Sequence, residues 1–439
     1  MKRRSSVALG FLALIVLGAA LLVAPFARVE GTWGSPMTAL FTACSAVCVT
    51  GLTVVDIAAE FSYAGQLVLL ALVEVGCLGL VTCGTFLMIA IGRRISLTRE
   101  FSLMNAYGVE QVQGLKGLIC WVVGSMVFIE AVGAAALFHH FHDAYLSVFY
   151  SVMGFCNAGF GIFPDSLARF ANDPYFLGVM ALETILGGIG FLVIYNLCTW
   201  RLPRKGSGSG ARRRLSLHTR VVLRVTLYLL AAAFVVFLLL EWNGTLAAFS
   251  PLQKLWVGFY QAVTPRTCGF CVVPTADLHP LTRLFYEVLM FIGGAPGSAA
   301  AGIKVTTLAV LFYTLKALCR AEDETVIDDR SVSYDTVREA LVIFMALVMI
   351  VVVVMGALLV TERLSGIASD AVFFEAVSAV TTTGLSVGET TKMLSPAGRI
   401  VIMVAMFMGR LGALTVVMMI GDREKKRRVR FPVEELVVG

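Results

Sequence analysis

Long apolar runs constrain the fold of this chain more than any other feature of its sequence. A helix needs roughly 20 apolar residues to cross the hydrocarbon core of a bilayer, because every backbone polar group must be paired where water is absent. The 439 residues are 58% hydrophobic and 15% charged, with a mean hydropathy of +0.85, which is too apolar for a water-soluble protein of this size. The predicted membrane spans cover residues 7–26, 64–91, 118–138, 176–200, 221–240, 285–318, 340–360 and 400–420.

Basic residues are concentrated in four segments, which predict the orientation in the membrane. These segments lie at residues 2–4, 93–99, 201–220 and 423–430. Lysine and arginine favour cytoplasmic loops, so the N- and C-termini are predicted to be cytoplasmic. The first apolar run follows a basic start but lacks a small-residue cleavage site, and is interpreted as a retained helix. The net charge of +6 therefore reflects topology and does not indicate nucleic-acid binding.

A short motif ending in glycine and then Leu or Phe occurs four times. Its glycines are Gly51, Gly159, Gly269 and Gly384, separated by 108, 110 and 115 residues. Each motif follows an apolar stretch of about ten residues, which is too short to cross a bilayer. These stretches are predicted to be half-helices that enter and leave the membrane on one side, and they cover residues 37–47, 146–155, 255–263 and 371–380.

The spans and the repeated motif together predict an all-α polytopic membrane protein. Eight transmembrane helices are arranged in four repeats around a central pore, each repeat being a helix, a pore loop and a second helix. The predicted units are residues 1–92, 93–200, 201–319 and 320–421, followed by a cytoplasmic tail at 422–439.

Four equivalent glycine-containing loops are typical of an ion filter. A potassium ion must exchange its water shell for rings of carbonyl oxygens, and glycine lets the backbone approach an ion closely. The C-terminal ends of the half-helices carry partial negative charge and would point toward the ion. One such glycine alone would be interpreted as a helix break, but four in register indicate a cation pore.

Residues 39–56 and the segment Thr264-Pro-Arg-Thr-Cys-Gly-Phe270 resemble the Trk/Ktr/HKT superfamily of potassium transporters. The similarity runs nearly end to end and is closest to the KtrB-type membrane subunit, including residues 430–439. It implies gated potassium uptake across the bacterial cytoplasmic membrane, with sodium dependence left open. It also implies a homodimer that works with a cytosolic RCK-type, KtrA-like ring binding an adenine nucleotide. No cofactor is expected on this chain, whose substrate would be the potassium ion.

The resemblance also implies which residues form the potassium filter. In the family, the carbonyls of the glycine and of the two residues before it coordinate the ion. Glycine is kept in all four loops here, as in the potassium-selective branch. The corresponding filter residues are Val49, Thr50, Gly51, Asn157, Ala158, Gly159, Thr267, Cys268, Gly269, Thr382, Thr383 and Gly384.

Glycines and a proline interrupt the apolar run at residues 285–318, which predicts a broken helix. The family resemblance makes this break an intramembrane gating loop, whereas the alternative is a kinked helix. Ser298 is expected to contact water or a passing ion, and Lys304 either reaches the cytoplasmic interface or holds the loop. The predicted gating loop comprises Gly293, Gly294, Pro296, Gly297, Ser298, Ala299, Ala300, Ala301, Gly302 and Lys304.

Arg410 lies within the last apolar run, where a charge costs about 2.5–3.5 kcal/mol on insertion scales. The resemblance implies that Arg410 projects into the pore as an electrostatic barrier. The alternative is an arginine that satisfies the carbonyls of the broken helix, and both can hold. Three residues depart from the family pattern and leave gating stiffness and transport rate open: Thr381, Ala301 and Ala413.

Several other features suggest different chemistry but have simpler interpretations. Cys268 and Cys271 form a CxxC that straddles the third loop, and residues 139–142 contain three histidines best placed in an outer loop. Arg266 is expected to turn behind its loop and pair with Glu375. The basic loop at 201–220 can contact anionic lipid, and the acidic segment at 320–338 is expected to be simply solvated.

Two other classes of function compete with a potassium pore. Counting the half-helices as crossings would give a secondary carrier of another cation, with about twelve spans. A membrane-embedded enzyme would need titratable residues that converge on one site. The candidates within apolar segments are sparse and suggest no nucleophile, base or metal set: Glu74, Glu130, Glu183, Lys304 and Arg410.

Overall fold

The structure is a computed structural model that describes residues 2–79, 82, 115–200 and 215–412. Ala413, the tail at 422–439 and most of the basic clusters lie outside the described residues. The helices are α1 Lys2–Val23, α2 Pro36–Val47, α3 Ile57–Glu60, α4 Tyr63–Leu78, α5 Leu115–Phe141, α6 Ala144–Phe155, α7 Pro174–Ile189, α8 Phe191–Thr199, α9 Leu217–Glu241, α10 Pro251–Val263, α11 Pro280–Phe291, α12 Val305–Cys319, α13 Tyr334–Thr361, α14 Ser369–Val380, α15 Thr390–Met393 and α16 Pro396–Leu411, and one hairpin comprises β1 Val326–Ile327 and β2 Arg330–Ser331.

Three helices in the described part of the chain are long and apolar enough to cross a membrane. They lie at Gly117–Phe141, Leu217–Glu241 and Tyr334–Thr361, within α5, α9 and α13. A fourth span results if α7 and α8, which meet at an angle of 96°, are counted together. The chain is therefore a mostly helical membrane protein.

Helices α4, α7 and α16 end inside the predicted continuous spans 64–91, 176–200 and 400–420, so those three predictions were wrong, whereas the break after the third motif was predicted. Helices α4, α7 and α16 end at Gly79, Gly190 and Gly412, whose φ angles are +77°, +87° and +82°. A left-handed residue ends a right-handed helix, and glycine adopts it without steric cost. In the third unit the break is the longer segment between α11 and α12.

A short helix of 12 or 13 residues precedes each glycine motif, as the sequence predicts. Pro36 and Pro251 occupy the first turns of α2 and α10, where a missing backbone N–H has no cost. Asp143 caps α6 by accepting hydrogen bonds from the Tyr145 and Leu146 amides at 2.8 and 3.1 Å. Proline or a side-chain cap thus starts α2, α6 and α10 at a defined residue, and each of these helices ends at a glycine motif.

The helices pack in a closed cycle that brings the four glycine motifs together. Each helix that follows a glycine motif contacts the short helix before the next motif: α4 contacts α6, α7 contacts α10, and α11 contacts α14. The cycle closes because α16 contacts α2. A cyclic arrangement of this kind surrounds an axis, and the glycine motifs lie at the ends of its short helices.

The acidic segment before α13 forms a hairpin, in which most acidic side chains are exposed, as predicted, but Asp328 is paired and not simply solvated. Strands β1 and β2 pair antiparallel, and the turn residues Asp328 and Asp329 have φ angles of +48° and +59°. Two arginines of α9 hold the turn, with Arg220 Nη1 and Arg224 Nη1 at 3.1 and 2.8 Å from the Asp328 carboxylate. The hairpin is thus fixed to the first turns of α9.

We expect Asp328→Asn to loosen this hairpin at pH 7. The hydrogen bond from Arg224 holds the pKa of Asp328 below its usual value. The ion pairs therefore stabilise the hairpin above the pKa of the free carboxyl, about 3.9, and are lost as pH falls through the lower folded value. Hydrogen exchange at residues 326–331 should be faster in Asp328→Asn at pH 7, and in the wild type only below about pH 4. Asp329→Asn is the matched control, and equal protection in all three proteins would contradict the prediction.

Candidate ion-binding site

The four glycine motifs share an unusual backbone conformation. We call residues 49–52, 157–160, 267–270 and 382–385 the four glycine loops. The four glycines have φ angles of +92°, +69°, +82° and +86°, and their partners two residues earlier are also left-handed. Alternating left- and right-handed residues turn successive carbonyl groups toward the same side. The left-handed non-glycine residues are Val49, Asn157, Thr267 and Thr382.

Left-handed backbone at a β-branched residue is costly, on the order of 1–3 kcal/mol per residue. Three of the four non-glycine residues listed above are β-branched, and all four are at most 1% exposed. Such strain persists only where the surrounding structure imposes it, and it is concentrated at functional sites. The loops are therefore held in this shape by the packing around them.

The glycines contact each other's loops in cyclic order. A Cβ atom on Gly51 would overlap the carbonyl oxygen of Ala158 in the second loop. A Cβ on Gly159 would lie 2.9 Å from the Cys268 oxygen, and one on Gly269 would lie 2.8 Å from the Thr383 oxygen. A Cβ on Gly384 would overlap the Thr50 oxygen, which closes the ring. The structure thus brings the four sequence-predicted triplets together around one axis.

Polar side chains from the short helices hold the segments that follow the loops. The Tyr150 hydroxyl accepts a hydrogen bond from the Ile162 amide at 3.2 Å. Gln261 accepts from the Val272 amide at 3.2 Å and donates to the Val273 carbonyl at 3.3 Å. Neither Tyr150 nor Gln261 was assigned a role from the sequence. Their signal is a polar side chain nine or eight positions before the loop glycine.

The third loop is connected to its helix differently from the others. The amides of Thr50, Ala158 and Thr383 each donate to the carbonyl five residues earlier, at 2.8–2.9 Å. The Cys268 amide instead donates to Thr264, four residues earlier, at 3.1 Å. Pro265 lies in this turn and has no N–H to donate, which accounts for the altered pattern. The four loops are therefore similar but not identical.

Arg266 turns behind its loop, but the predicted pair with Glu375 was wrong. Its Nη2 donates to the carbonyl of Gly293 at 3.2 Å, and the residue is 8% exposed. Glu375 instead accepts hydrogen bonds from the hydroxyls of Ser386 and Thr391. Arg266 therefore connects the third glycine loop to the start of the break between α11 and α12.

That break, which we call the 293–304 segment, is an ordered loop. A parallel bridge joins Ile292 and Ile303 at its base, and the Gly293 amide donates to Ile303 at 3.0 Å. The Ala295 amide donates to the Gly188 carbonyl at 2.9 Å, so the segment rests on the bend between α7 and α8. A simple kinked helix, the alternative interpretation, does not describe it.

Two polar residues of the segment hydrogen-bond within it. The Ser298 hydroxyl donates to the Ala295 carbonyl at 2.6 Å, which leaves its oxygen lone pairs free, so contact with water or a passing ion stays a prediction. Lys304 Nζ donates to the Ala300 carbonyl at 2.6 Å, which favours the loop-holding alternative over the interfacial one. Both bonds stabilise the loop in its present conformation.

Arg410 bridges the 293–304 segment and the end of α4. Its Nη1 donates to the Ala299 carbonyl at 2.6 Å. Its Nη2 donates to the Gly76 carbonyl at 2.5 Å and lies 3.3 Å from that of Cys77. The carbonyl-satisfying interpretation is therefore correct in this conformation, and the contacts place a fixed positive charge beside the segment.

The cysteines and histidines singled out in the sequence have local partners. Cys268 Sγ lies 3.3 Å from the Thr184 hydroxyl and 3.7 Å from that of Tyr260. His140 Nδ1 lies 2.9 Å from the Asp173 carboxylate. A set of three potential metal ligands was missed because its members are far apart in the sequence. It is formed by Glu74, Glu130 and Cys156, whose ligand atoms lie within 4.8 Å of one another.

Comparison with known proteins assigns the chain to a family. The model of the TrkH family, described as "Cation transport protein", matches residues 11–425. The chain belongs to this family of cation transport proteins. It is 34% identical to "Ktr system potassium uptake protein B" of Bacillus subtilis, over 98% of this chain and 96% of that protein. It is 32% identical to "Potassium/sodium uptake protein NtpJ" of Enterococcus hirae, over 99% and 96%.

A solved structure confirms the fold of this TrkH-family chain. The potassium transporter TrkH from Vibrio parahaemolyticus superposes with a TM-score of 0.73 at 17% identity, covering 94% of this chain and 84% of that one. The resemblance inferred from the loop residues is thereby confirmed. The family consists of cation transporters, which agrees with the interpretation of a membrane protein that is not an enzyme.

Proposed function

We propose that this TrkH-family chain is the ion-conducting subunit of a potassium-uptake system, with the filter formed by the four glycine loops. The observation that carries the proposal is the cyclic contact of each loop glycine with a carbonyl of the next loop. The names of the full-length relatives, which describe potassium uptake, support the same ion. The chain takes potassium inward through a pore and does not carry it by alternating access.

The filter contains three layers of four carbonyl oxygens, one layer for each position of the predicted triplets. Such layers replace the water shell of potassium. The short helices α2, α6, α10 and α14 end at the loops, so their partial negative charges stabilise a cation there. The surrounding architecture is four units with eight spanning segments, whose second members are broken at or near glycine.

The 293–304 segment is the gate. Arg410 holds it in the closed conformation by a hydrogen bond and forms an electrostatic barrier to cations. Opening the pore requires the segment to leave Arg410, which breaks the hydrogen bond to the Ala299 carbonyl. A hydrogen bond to a charged group contributes about 1.5–3 kcal/mol, so a regulatory subunit can supply enough energy to move the equilibrium. The bonds from Lys304 and Arg266 set the shape of the closed segment.

The chain works as a homodimer with a cytosolic RCK-type ring that binds an adenine nucleotide, in a bacterial cytoplasmic membrane with both termini inside. Support comes from the relatives named as parts of a Ktr system, since a system implies a second component. Sodium is a second candidate ion, because one relative is named for potassium and sodium uptake.

The proposal is tested by potassium uptake in cells that lack their own uptake systems. Expression of the chain with its regulatory partner should restore growth at low potassium and accelerate uptake of radioactive rubidium, a potassium analogue. Excess potassium should compete with the rubidium more strongly than sodium does. Failure of the expressed protein to move rubidium or potassium would contradict the proposal, and transport of another cation alone would favour a carrier of that cation.

A further inference from the structure

A cavity opens beside the first and fourth glycine loops, on the side away from the short helices that precede them. Its volume is about 110 Å³. A water molecule takes about 30 Å³, so the cavity has room for several. An ion could therefore enter it with part of its water shell. The lining residues relevant here are Gly51, Gly384, Ser386, Glu389, Thr391 and Lys392.

A buried carboxylate lies directly behind this cavity. Glu375, in the middle of α14, is 0% exposed. Ser386 Oγ donates to its Oε2 at 2.9 Å, and Thr391 Oγ1 donates to its Oε1. Both hydroxyl residues line the cavity, and their oxygens lie 3.2 Å apart. The carboxylate therefore acts on the cavity through two hydroxyl groups.

These hydrogen bonds determine what the hydroxyls offer to the cavity. A hydroxyl has one hydrogen and two lone pairs. Because Ser386 and Thr391 each direct their hydrogen at Glu375, their lone pairs are left for the cavity side. Two oxygens that can only accept, hydrogen-bonded to a carboxylate behind them, favour a cation.

The corresponding positions in two other loops carry no charge. Tyr150 in α6 and Gln261 in α10 hold their loop segments with a neutral hydroxyl and a neutral amide. Holding a loop segment therefore does not require a carboxylate. The negative charge of Glu375 serves another purpose beyond fixing the backbone.

Lys392, which lines the cavity, forms an ion pair with Glu389 that keeps its ammonium group out of the cavity. Lys392 Nζ lies 2.8 Å from Glu389 Oε1. That hydrogen bond lowers the pKa of Glu389, which therefore stays ionised at neutral pH. Without Glu389, the Lys392 ammonium could move into the cavity and compete with an entering cation.

We propose that Ser386 and Thr391, positioned by Glu375, form an entry subsite that binds a partly hydrated monovalent cation before it enters the glycine loops. The inference rests on the proposed function. The subsite raises the local concentration of the ion at the pore mouth, so it acts when external potassium is scarce. Selection between ions remains with the carbonyl layers.

The test is the dependence of rubidium uptake on external concentration in cells expressing Glu375→Gln. This substitution keeps the shape of the side chain and removes its charge. We expect KM to rise about three- to tenfold, while the maximal rate per molecule and the potassium preference stay near wild type. An unchanged KM, or a fall in maximal rate alone, would overturn the subsite.

The matched control is Glu362→Gln in the same unit. Glu362 is also a buried carboxylate and accepts hydrogen bonds from Ser395, but it does not line the cavity. The KM of Glu362→Gln should match that of the wild type. An equal rise of KM in Glu362→Gln and Glu375→Gln would show that the loss of any buried carboxylate causes the effect, and would overturn the subsite. If the wild type itself moves no rubidium, the proposed function is wrong. If the wild type transports rubidium and Glu375→Gln has the same KM, only the proposed subsite is wrong.

Two surface variants keep the proposal testable if Glu375→Gln does not fold. Lys392→Gln should lower KM, because it removes the competing ammonium. Glu389→Gln should raise KM, because it releases Lys392 into the cavity. Identical KM values for these two variants would overturn the subsite.

Discussion

Gly51→Ser is expected to reduce the preference for potassium over sodium by at least about tenfold, which corresponds to about 1.4 kcal/mol. Gly51 has a φ of +92°, and a Cβ there would overlap the Ala158 carbonyl oxygen. A side chain costs about 1–2 kcal/mol in this conformation before the overlap is counted, so the first and second loops must separate. The measurement is uptake of radioactive rubidium and sodium at equal amounts of protein in the membrane.

A glycine outside the ring separates this effect from general backbone strain. Gly366 has a φ of +73°, but no described atom lies within 4 Å of the position of its Cβ. Gly366→Ser should keep the ion preference of the wild type. Gly269→Ser should behave like Gly51→Ser, because its Cβ would meet the Thr383 carbonyl oxygen at 2.8 Å. An intact preference in both loop variants would refute the assignment of the filter.

Arg410→Ala is expected to raise the initial rate of potassium uptake about three- to tenfold. Alanine removes the fixed positive charge and the hydrogen bonds that join the 293–304 segment to the end of α4. Each such bond contributes about 1.5–3 kcal/mol, so the open conformation becomes more populated. The measurement is initial rubidium uptake, normalised to protein in the membrane, with and without the regulatory partner.

Arg410→Lys distinguishes charge from geometry. A lysine keeps the positive charge but is a point donor, so it cannot bridge the Ala299 and Gly76 carbonyls as the planar guanidinium does. Its rate should lie between those of the wild type and Arg410→Ala. A lower rate for Arg410→Ala at normal expression would show that Arg410 supports the conducting structure and is not a barrier.

The sequence predicts most of the framework because the relevant signals are local. Bilayer thickness sets the length of an apolar run, and the left-handed backbone of each loop selects glycine at one position. The repeat of Gly51, Gly159, Gly269 and Gly384 was therefore visible without coordinates. The helix breaks at Gly79, Gly190 and Gly412 were missed, although they follow the first, second and fourth loop glycines by 28, 31 and 28 residues.

The remaining features depend on contacts between distant segments. Arg266 bonds to Gly293, and Asp328 pairs with arginines of α9, because packing brings separate elements together. The expected pair of Arg266 with Glu375 was wrong, since Glu375 accepts hydrogen bonds from two hydroxyl groups instead. Residue type alone does not show which partner a buried polar group will meet.

The proposed filter places a cation site on the axis of the four glycine loops. The most direct measurement is a structure of the protein in rubidium, in which anomalous scattering locates the ions. We expect peaks on the axis, between the carbonyl oxygens of the first and third triplets (residues 49–51 and 267–269) and of the second and fourth (residues 157–159 and 382–384). Rubidium bound elsewhere in the membrane region, with no peak on this axis, would contradict the proposed filter.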